Sequence, residues 1–183
     1  MSAASHRPQL RRRWLIAGTA LTGLAAGLGW AWYRFGLQPP ADDPVQLMRA
    51  LSLPDADGRP YALATTANKT VVLNFWATWC PPCVEEMPEL AELHREIAAS
   101  NGLVIGIGID SPSNVREFAS KNQFPYPLLV GGMGGTELSR RFGNTSGALP
   151  FTVVIGPDAR IVKRILGRVR LAQLRDLIRP VLR

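Results

Sequence analysis

The chain has 183 residues, room for one ordinary globular domain and a short accessory segment, and its 46% hydrophobic and 19% charged content argues against a wholly disordered protein. Its formal charge is +7, but residues 1–36 hold five arginines and no acid, while the 14 acidic residues beyond them face 16 basic ones. No recognition helix, zinc finger or aromatic-basic pattern accompanies that charge, so it reads as solvated faces plus a topology signal, with no nucleic-acid partner.

Residues 14–33 (WLIAGTALTGLAAGLGWAWY) run for 20 positions without a charge. As a helix rising ~1.5 Å per residue, this stretch spans about 30 Å, the thickness of a bilayer core. Arg11, Arg12 and Arg13 precede it, and Trp30, Trp32 and Tyr33 close it, which predicts a single pass with the N-terminus inside. The expected layout is a cytoplasmic basic segment at 1–13, a transmembrane anchor at 14–35, a linker at 36–45 and a folded domain at 46–183. A removed secretory signal is the alternative, but its apolar stretch is usually about 7–15 residues, and no A-x-A site follows this one. Both readings carry the domain across the inner (cytoplasmic) membrane, to the periplasm or the cell exterior.

After the Pro-rich linker, residues 46–53 and 59–63 flank Asp55-Ala56-Asp57-Gly58 and predict a hairpin with glycine at its turn. Residues 71–75 (VVLNF) predict a buried strand. A helix is expected from Cys80 or Pro81 to about residue 99, because Met87, Leu90, Ala91, Leu93 and Ile97 recur at spacings of three and four. Pro81 suits its first turn, whereas Pro88 should kink it. Residues 103–109 (LVIGIGI) form a second central strand, and Ser113 is expected to cap a short helix holding Val115, Phe118 and Ala119.

Residues 128–130 predict another strand, Gly131 to Gly135 a flexible loop, and 136–142 a helix stopped by Gly143. Residues 151–155 and 161–166 read as antiparallel strands. Leu171, Leu174, Leu177, Ile178 and Val181 mark an amphipathic terminal helix. This order predicts an α/β domain, a central mixed sheet with helices on both faces.

The two cysteines, Cys80 and Cys83, stand in Trp79-Cys80-Pro81-Pro82-Cys83. A strand leading into C-x-x-C at a helix N-terminus suits redox chemistry. Unpaired N–H groups and the macrodipole there stabilise a thiolate on the first sulfur, and the second, a turn later, can resolve a mixed disulfide. Cys80 is thus the expected nucleophile and Cys83 the resolving thiol. Pro81 and Pro82 bring no N–H, so the donors nearest Cys80 are those of Cys83 and Val84, which points to a less acidic thiol and a more reducing couple. A zinc site would need about four ligands, and only His6 and His94 remain as soft candidates, so neither metal nor cofactor is expected. A structural disulfide is the other alternative, but so short a loop constrains the unfolded chain little.

The run from Asn74 to Pro88, NFWATWCPPCVEEMP, resembles the active site of TlpA-like and ResA-like thioredoxins, bacterial and usually membrane-anchored thiol–disulfide oxidoreductases. The resemblance covers residues 47–182 and implies a thioredoxin fold with an inserted αβ element around residues 113–135. It places the redox-active disulfide on Cys80 and Cys83 and the family's cis-proline on Pro150, with Leu149 offering its backbone to an extended substrate. It places on Glu86 the acidic group that influences cysteine protonation. Where cytoplasmic thioredoxin has a buried aspartate this chain has Asn74, which cannot exchange a proton, so that task passes to Glu86 or water. Trp79 is expected to shape the substrate platform, and Trp76 to be core.

The resemblance further implies a reductase of periplasmic disulfides, fed by a membrane-embedded thiol reductase. Its expected clients are apocytochromes c or copper-delivery proteins. An oxidase using the same cysteines, and a non-catalytic thioredoxin-like binding module, are the competing readings.

Overall fold

The computed structural model describes residues 43–182. The expected basic segment, anchor and most of the linker lie outside the described residues, among which no helix is long and apolar enough to cross a membrane.

The first element among the described residues is a helix, α1 (Pro44–Arg49), not a strand. Asp43 caps it by accepting the Val45 N–H at 2.9 Å, and Pro44 presets the backbone of its first turn. Val45 and Met48, three apart, bury completely, so the stretch expected to form one hairpin arm is mostly helical. The hairpin itself exists, shortened to β1 (Ser52–Pro54) and β2 (Pro60–Ala62). Its turn is tied by Asp55 Oδ1, which accepts the N–H groups of Asp57 and Arg59.

Five strands make the main sheet: β3 (Thr70–Trp76), β4 (Gly102–Gly108), β5 (Leu128–Val130), β6 (Phe151–Ile155) and β7 (Ile161–Leu166). Their order is β5-β4-β3-β6-β7, parallel from β5 to β3 and antiparallel from β3 to β7. The central strand β3 is buried along its whole length, as its unbroken apolar run requires. The remaining helices are α2 (Pro81–Ile97), α3 (Pro112–Lys121), α4 (Gly132–Arg141) and α5 (Leu171–Ile178).

Alternation along β3 divides the core in two. Val71, Leu73 and Phe75 pack with Val45 and Met48 of α1 and Leu138 of α4. Val72 and Trp76 face the other way, onto Cys83, Met87 and Leu90 of α2, Val115 of α3 and Leu174 of α5. Helices therefore cover both faces, and α2 lies over the face that also carries Asn74.

Three expected details change. Ser111, not Ser113, caps α3 by accepting the Asn114 N–H at 3.2 Å; Pro112 takes the first helical position, which puts the cap one residue before it. The glycine run is no loop: α4 begins at Gly132. A Cβ on Gly131 would lie 2.5 Å from Ile107 Cγ2, and one on Gly135 3.2 Å from the same atom, so these glycines let the start of α4 sit close on β4. The terminal helix ends at Ile178, and Val181 lies beyond it, its carbonyl accepting the Thr70 hydroxyl at 2.8 Å. Helix α2 runs on as one element past Pro88, which lies on its exposed side.

Candidate active site

The parallel strands β3 and β4 both end at the same edge of the sheet, and the turn after β3 delivers the two cysteines there. Cys80 is the N-cap of α2 and Cys83 lies in its first turn. They form a disulfide with Cα atoms 5.3 Å apart. Cys80 is 5% exposed and Cys83 is fully buried, so only the first cysteine adjoins the surface.

The N–H groups of Cys83 and Val84 do not point to a sulfur. Both donate to the Cys80 carbonyl oxygen, at 3.0 and 3.2 Å. The expectation that unpaired donors at the helix start would steady a thiolate is corrected here. Pro81 and Pro82 have no N–H and the next two donors are taken, so in the disulfide form the helix start offers the Cys80 sulfur its macrodipole but no hydrogen bond.

Glu86 lies one turn after Cys83 on the same side of α2 and is fully buried. Its Oε1 accepts Asn74 Nδ2 at 2.7 Å, and its Oε2 accepts the Val169 N–H at 2.8 Å. Burial pushes its carboxyl up to about 7, against the pull of the Val169 N–H, the Asn74 amide and the Arg168 charge. The hydroxyl of Tyr126 is buried with no partner among the described residues; burial raises its pKa, and the Glu86 charge adds to that.

Three glutamates of α2 hold the segment that precedes α5. Arg168 pairs with Glu85 and Glu89, the Val169 N–H meets Glu86, and the Leu171 N–H donates to Glu89 Oε2 at 2.6 Å. Glu85 is thus a surface partner of Arg168, whereas Glu86 belongs to the interior. His94, the one other soft ligand candidate in this domain, accepts the Val104 N–H on Nδ1 at 3.3 Å.

The Leu149–Pro150 peptide bond is cis, immediately before β6. Pro150 is buried and Leu149 half-buried, packed against both core clusters. Trp79 stands 67% exposed beside Cys80, while Trp76 is wholly buried with its ring 5.0 Å from that of Phe118. The turn between them is pinned by Asp110, at the end of β4.

Sequence reasoning singled out the cysteines, Glu86, Trp79, Leu149 and Pro150. It missed Thr152, Val169 and Asp110 and saw no partner for Asn74. A signal for one of these was present. Past Thr70 at the start of β3, Asn74 and Thr152 are the polar residues of two apolar strands, and the β3–β6 register sets them opposite each other.

A thioredoxin-like α/β sheet with a Cys-x-x-Cys disulfide where a helix leaves the central strand defines the class of thiol–disulfide oxidoreductases. The chain belongs to the AhpC/TSA family, which it matches over residues 45–164. It is 28% identical over 128 residues to the thiol-disulfide oxidoreductase ResA of Bacillus cereus, across 69% of this chain and 72% of that one. To the thioredoxin-like protein YneN of Bacillus subtilis it is 33% identical over 128 residues, across 65% of this chain and 72% of that one. Among solved structures, a thioredoxin-family thiol:disulfide interchange protein from Chlorobium tepidum matches with a TM-score of 0.63 at 27% identity, covering 73% of this chain and 93% of that one. The protein is a thiol–disulfide oxidoreductase of the ResA type.

Proposed function

We propose that this oxidoreductase is held by its N-terminal segment in the inner membrane and reduces disulfides of client proteins on the periplasmic side. The observation that carries the reading is the asymmetric pair, one cysteine adjoining the surface and one fully buried, with a buried carboxyl a turn below the second.

In the reduced enzyme the Cys80 thiolate attacks one sulfur of a client disulfide. The client S–S bond breaks, a Cys80–client mixed disulfide forms, and the other client sulfur leaves as a thiolate. Glu86, ionised on about half the molecules near neutral pH, takes the Cys83 proton. Cys83 then attacks Cys80 Sγ, closes the Cys80–Cys83 disulfide and expels the second client thiolate. The client gains two electrons and, on protonation, two protons, while the enzyme is oxidised to the disulfide. A membrane-embedded thiol reductase returns the electrons.

Neither the N–H nor the C=O of Leu149 takes part in a backbone hydrogen bond among the described residues, which suits strand-like pairing with an extended client beside Pro150. Trp79 supplies an aromatic wall to the same approach. The clients are cysteine-bearing apocytochromes c or copper-delivery proteins, whose thiols must be reduced before they take haem or metal.

The test is trapping in cells with Cys83→Ser. The mixed disulfide on Cys80 should persist, and the captured proteins should be exported ones with paired cysteines. Unchanged insulin reduction by both Cys80→Ser and Cys83→Ser would end the reading. Recovery of the same captured species in the oxidised resting state, with no reducing activity, would reverse its direction.

A further inference from the structure

Asn74 lies fully buried in the middle of β3, on the face toward α2, between the apolar Val72 and Trp76. A buried carboxamide is costly unless its polar atoms are paired. Both N–H bonds of Asn74 are used: Nδ2 donates to Glu86 Oε1 at 2.7 Å and to Thr152 Oγ1 at 3.0 Å. Its Oδ1 has no partner among the described residues. The amide therefore keeps the orientation that serves Glu86 and leaves its own acceptor unpaired. Turned over, it would set Oδ1 against Glu86 Oε1, oxygen to oxygen, with no donor between them while the carboxylate is ionised.

We propose that Asn74 is a positioning residue of the redox site: oriented by Thr152, its carboxamide grips Glu86 Oε1 and keeps that carboxyl able to release and recover a proton beneath Cys83. The inference rests on the reading of Glu86 as the group that takes the Cys83 proton.

The other groups that face Glu86 leave this role to Asn74. From the segment before α5 come the Val169 N–H, which no side-chain change removes, and the Arg168 charge, which is shared with Glu85 and Glu89. From α2 itself comes Glu89, whose charge opposes ionisation, and from the turn before β5 comes Tyr126, neutral at any working pH. Asn74 is thus the one side chain hydrogen-bonded to the Glu86 carboxyl among the described residues. An aspartate in its place would set a second carboxyl against the first, and the two would share a proton. The amide supplies a donor without adding a second acid.

The test follows Glu86 directly, by carbon NMR titration of its side-chain carboxyl in the full-length reduced chain in nanodiscs. Asn74→Leu should raise its pKa by about one unit, as loss of a hydrogen bond to a buried carboxylate does. Thr152→Val should shift it less, in the same direction. The pH profile of client reduction should move with it, and Asn74→Leu should add no further shift in a Glu86→Gln background. An unmoved Glu86 titration in both variants overturns the proposal, as does an equal shift of the rate profile without Glu86. A raised titration with an unmoved rate profile keeps the Asn74 grip and overturns instead the proton-accepting role given to Glu86. Should Asn74→Leu fail to fold, Thr152→Val decides alone.

Discussion

The hydroxyl and the backbone N–H of Thr78 both end on one oxygen of Asp110, at 2.5 and 3.2 Å. The other oxygen of Asp110 accepts the Ser111 N–H and Asn114 Nδ2, each at 2.7 Å. A single carboxylate thereby joins the turn that presents Trp79 and Cys80 to the end of β4 and the start of α3. Partial burial acts to raise the Asp110 pKa, but its four hydrogen bonds together hold it below the usual value. A depressed acid stabilises the fold above its ordinary range and loses that contribution as pH falls through the folded value. Asp110→Ala should therefore destabilise the domain by about 1–3 kcal/mol at neutral pH. Chemical denaturation should show the gap between variant and parent narrowing only as pH falls past the ordinary carboxylate range toward the parent's depressed value.

Glu86 has the opposite linkage. Its pKa rises from 4.5 to about 7 on folding, so the folded chain holds more protons between those values. Its stabilising share is complete below about pH 4.5 and is lost as pH climbs through 7, a difference of roughly 3 kcal/mol at about 1.4 kcal/mol per unit. Glu86→Gln should flatten the fall in melting temperature between about pH 5 and pH 8. A calorimetric series showing the parental slope in the variant would assign that slope elsewhere.

Pro82 keeps a backbone donor away from Cys80. With Pro82→Ala an N–H returns at the second position of α2, opening out of the helix start toward the sulfur. The Cys80 thiol should become more acidic by about half a unit, and the couple more oxidising by roughly 10–30 mV. Alkylation rate against pH gives the first quantity, and equilibration with glutathione the second.

Trp79 is mostly exposed, so little stability depends on it. Trp79→Ala should leave the melting temperature within about 2 °C while lowering kcat/KM for a protein client several-fold. Turnover of a small disulfide such as dithionitrobenzoate should hold nearly constant. Equal losses for the two substrates would mean that Trp79 acts on Cys80 rather than on the client.

Gly131→Ala would drive a methyl to 2.5 Å from Ile107 Cγ2 and 2.9 Å from Gly135 Cα. A backbone neighbour cannot yield as a side-chain tip can, so a loss of about 1–3 kcal/mol is expected in urea denaturation. Gly134→Ala, with nothing within 4 Å, is the control and should be neutral or slightly stabilising.

Periodicity read from the residues located most of this architecture. Strands β6 and β7 fall at the expected bounds, and the C-x-x-C opens α2 as its setting predicted. The failures have local causes. Residues 44–49 are too few to show a helical period, and the apolar residues that follow suggested a strand. The glycines of α4 suggested mobility because their use is steric and lies across the core, at Ile107. The site was legible where it is contiguous and hidden where it is not. Glu86 meets Asn74 and Val169, and Asn74 meets Thr152, only once the chain has folded, and a backbone N–H such as that of Val169 leaves no trace in residue identity.

The grip of α2 on Arg168, Val169 and Leu171 has a consequence for biogenesis. The cysteines are made well before the segment that seats Glu86, so a growing chain carries two thiols without their tuned carboxyl. Until its last tenth is made, the molecule has its cysteine pair but not the seating of the carboxyl beneath it.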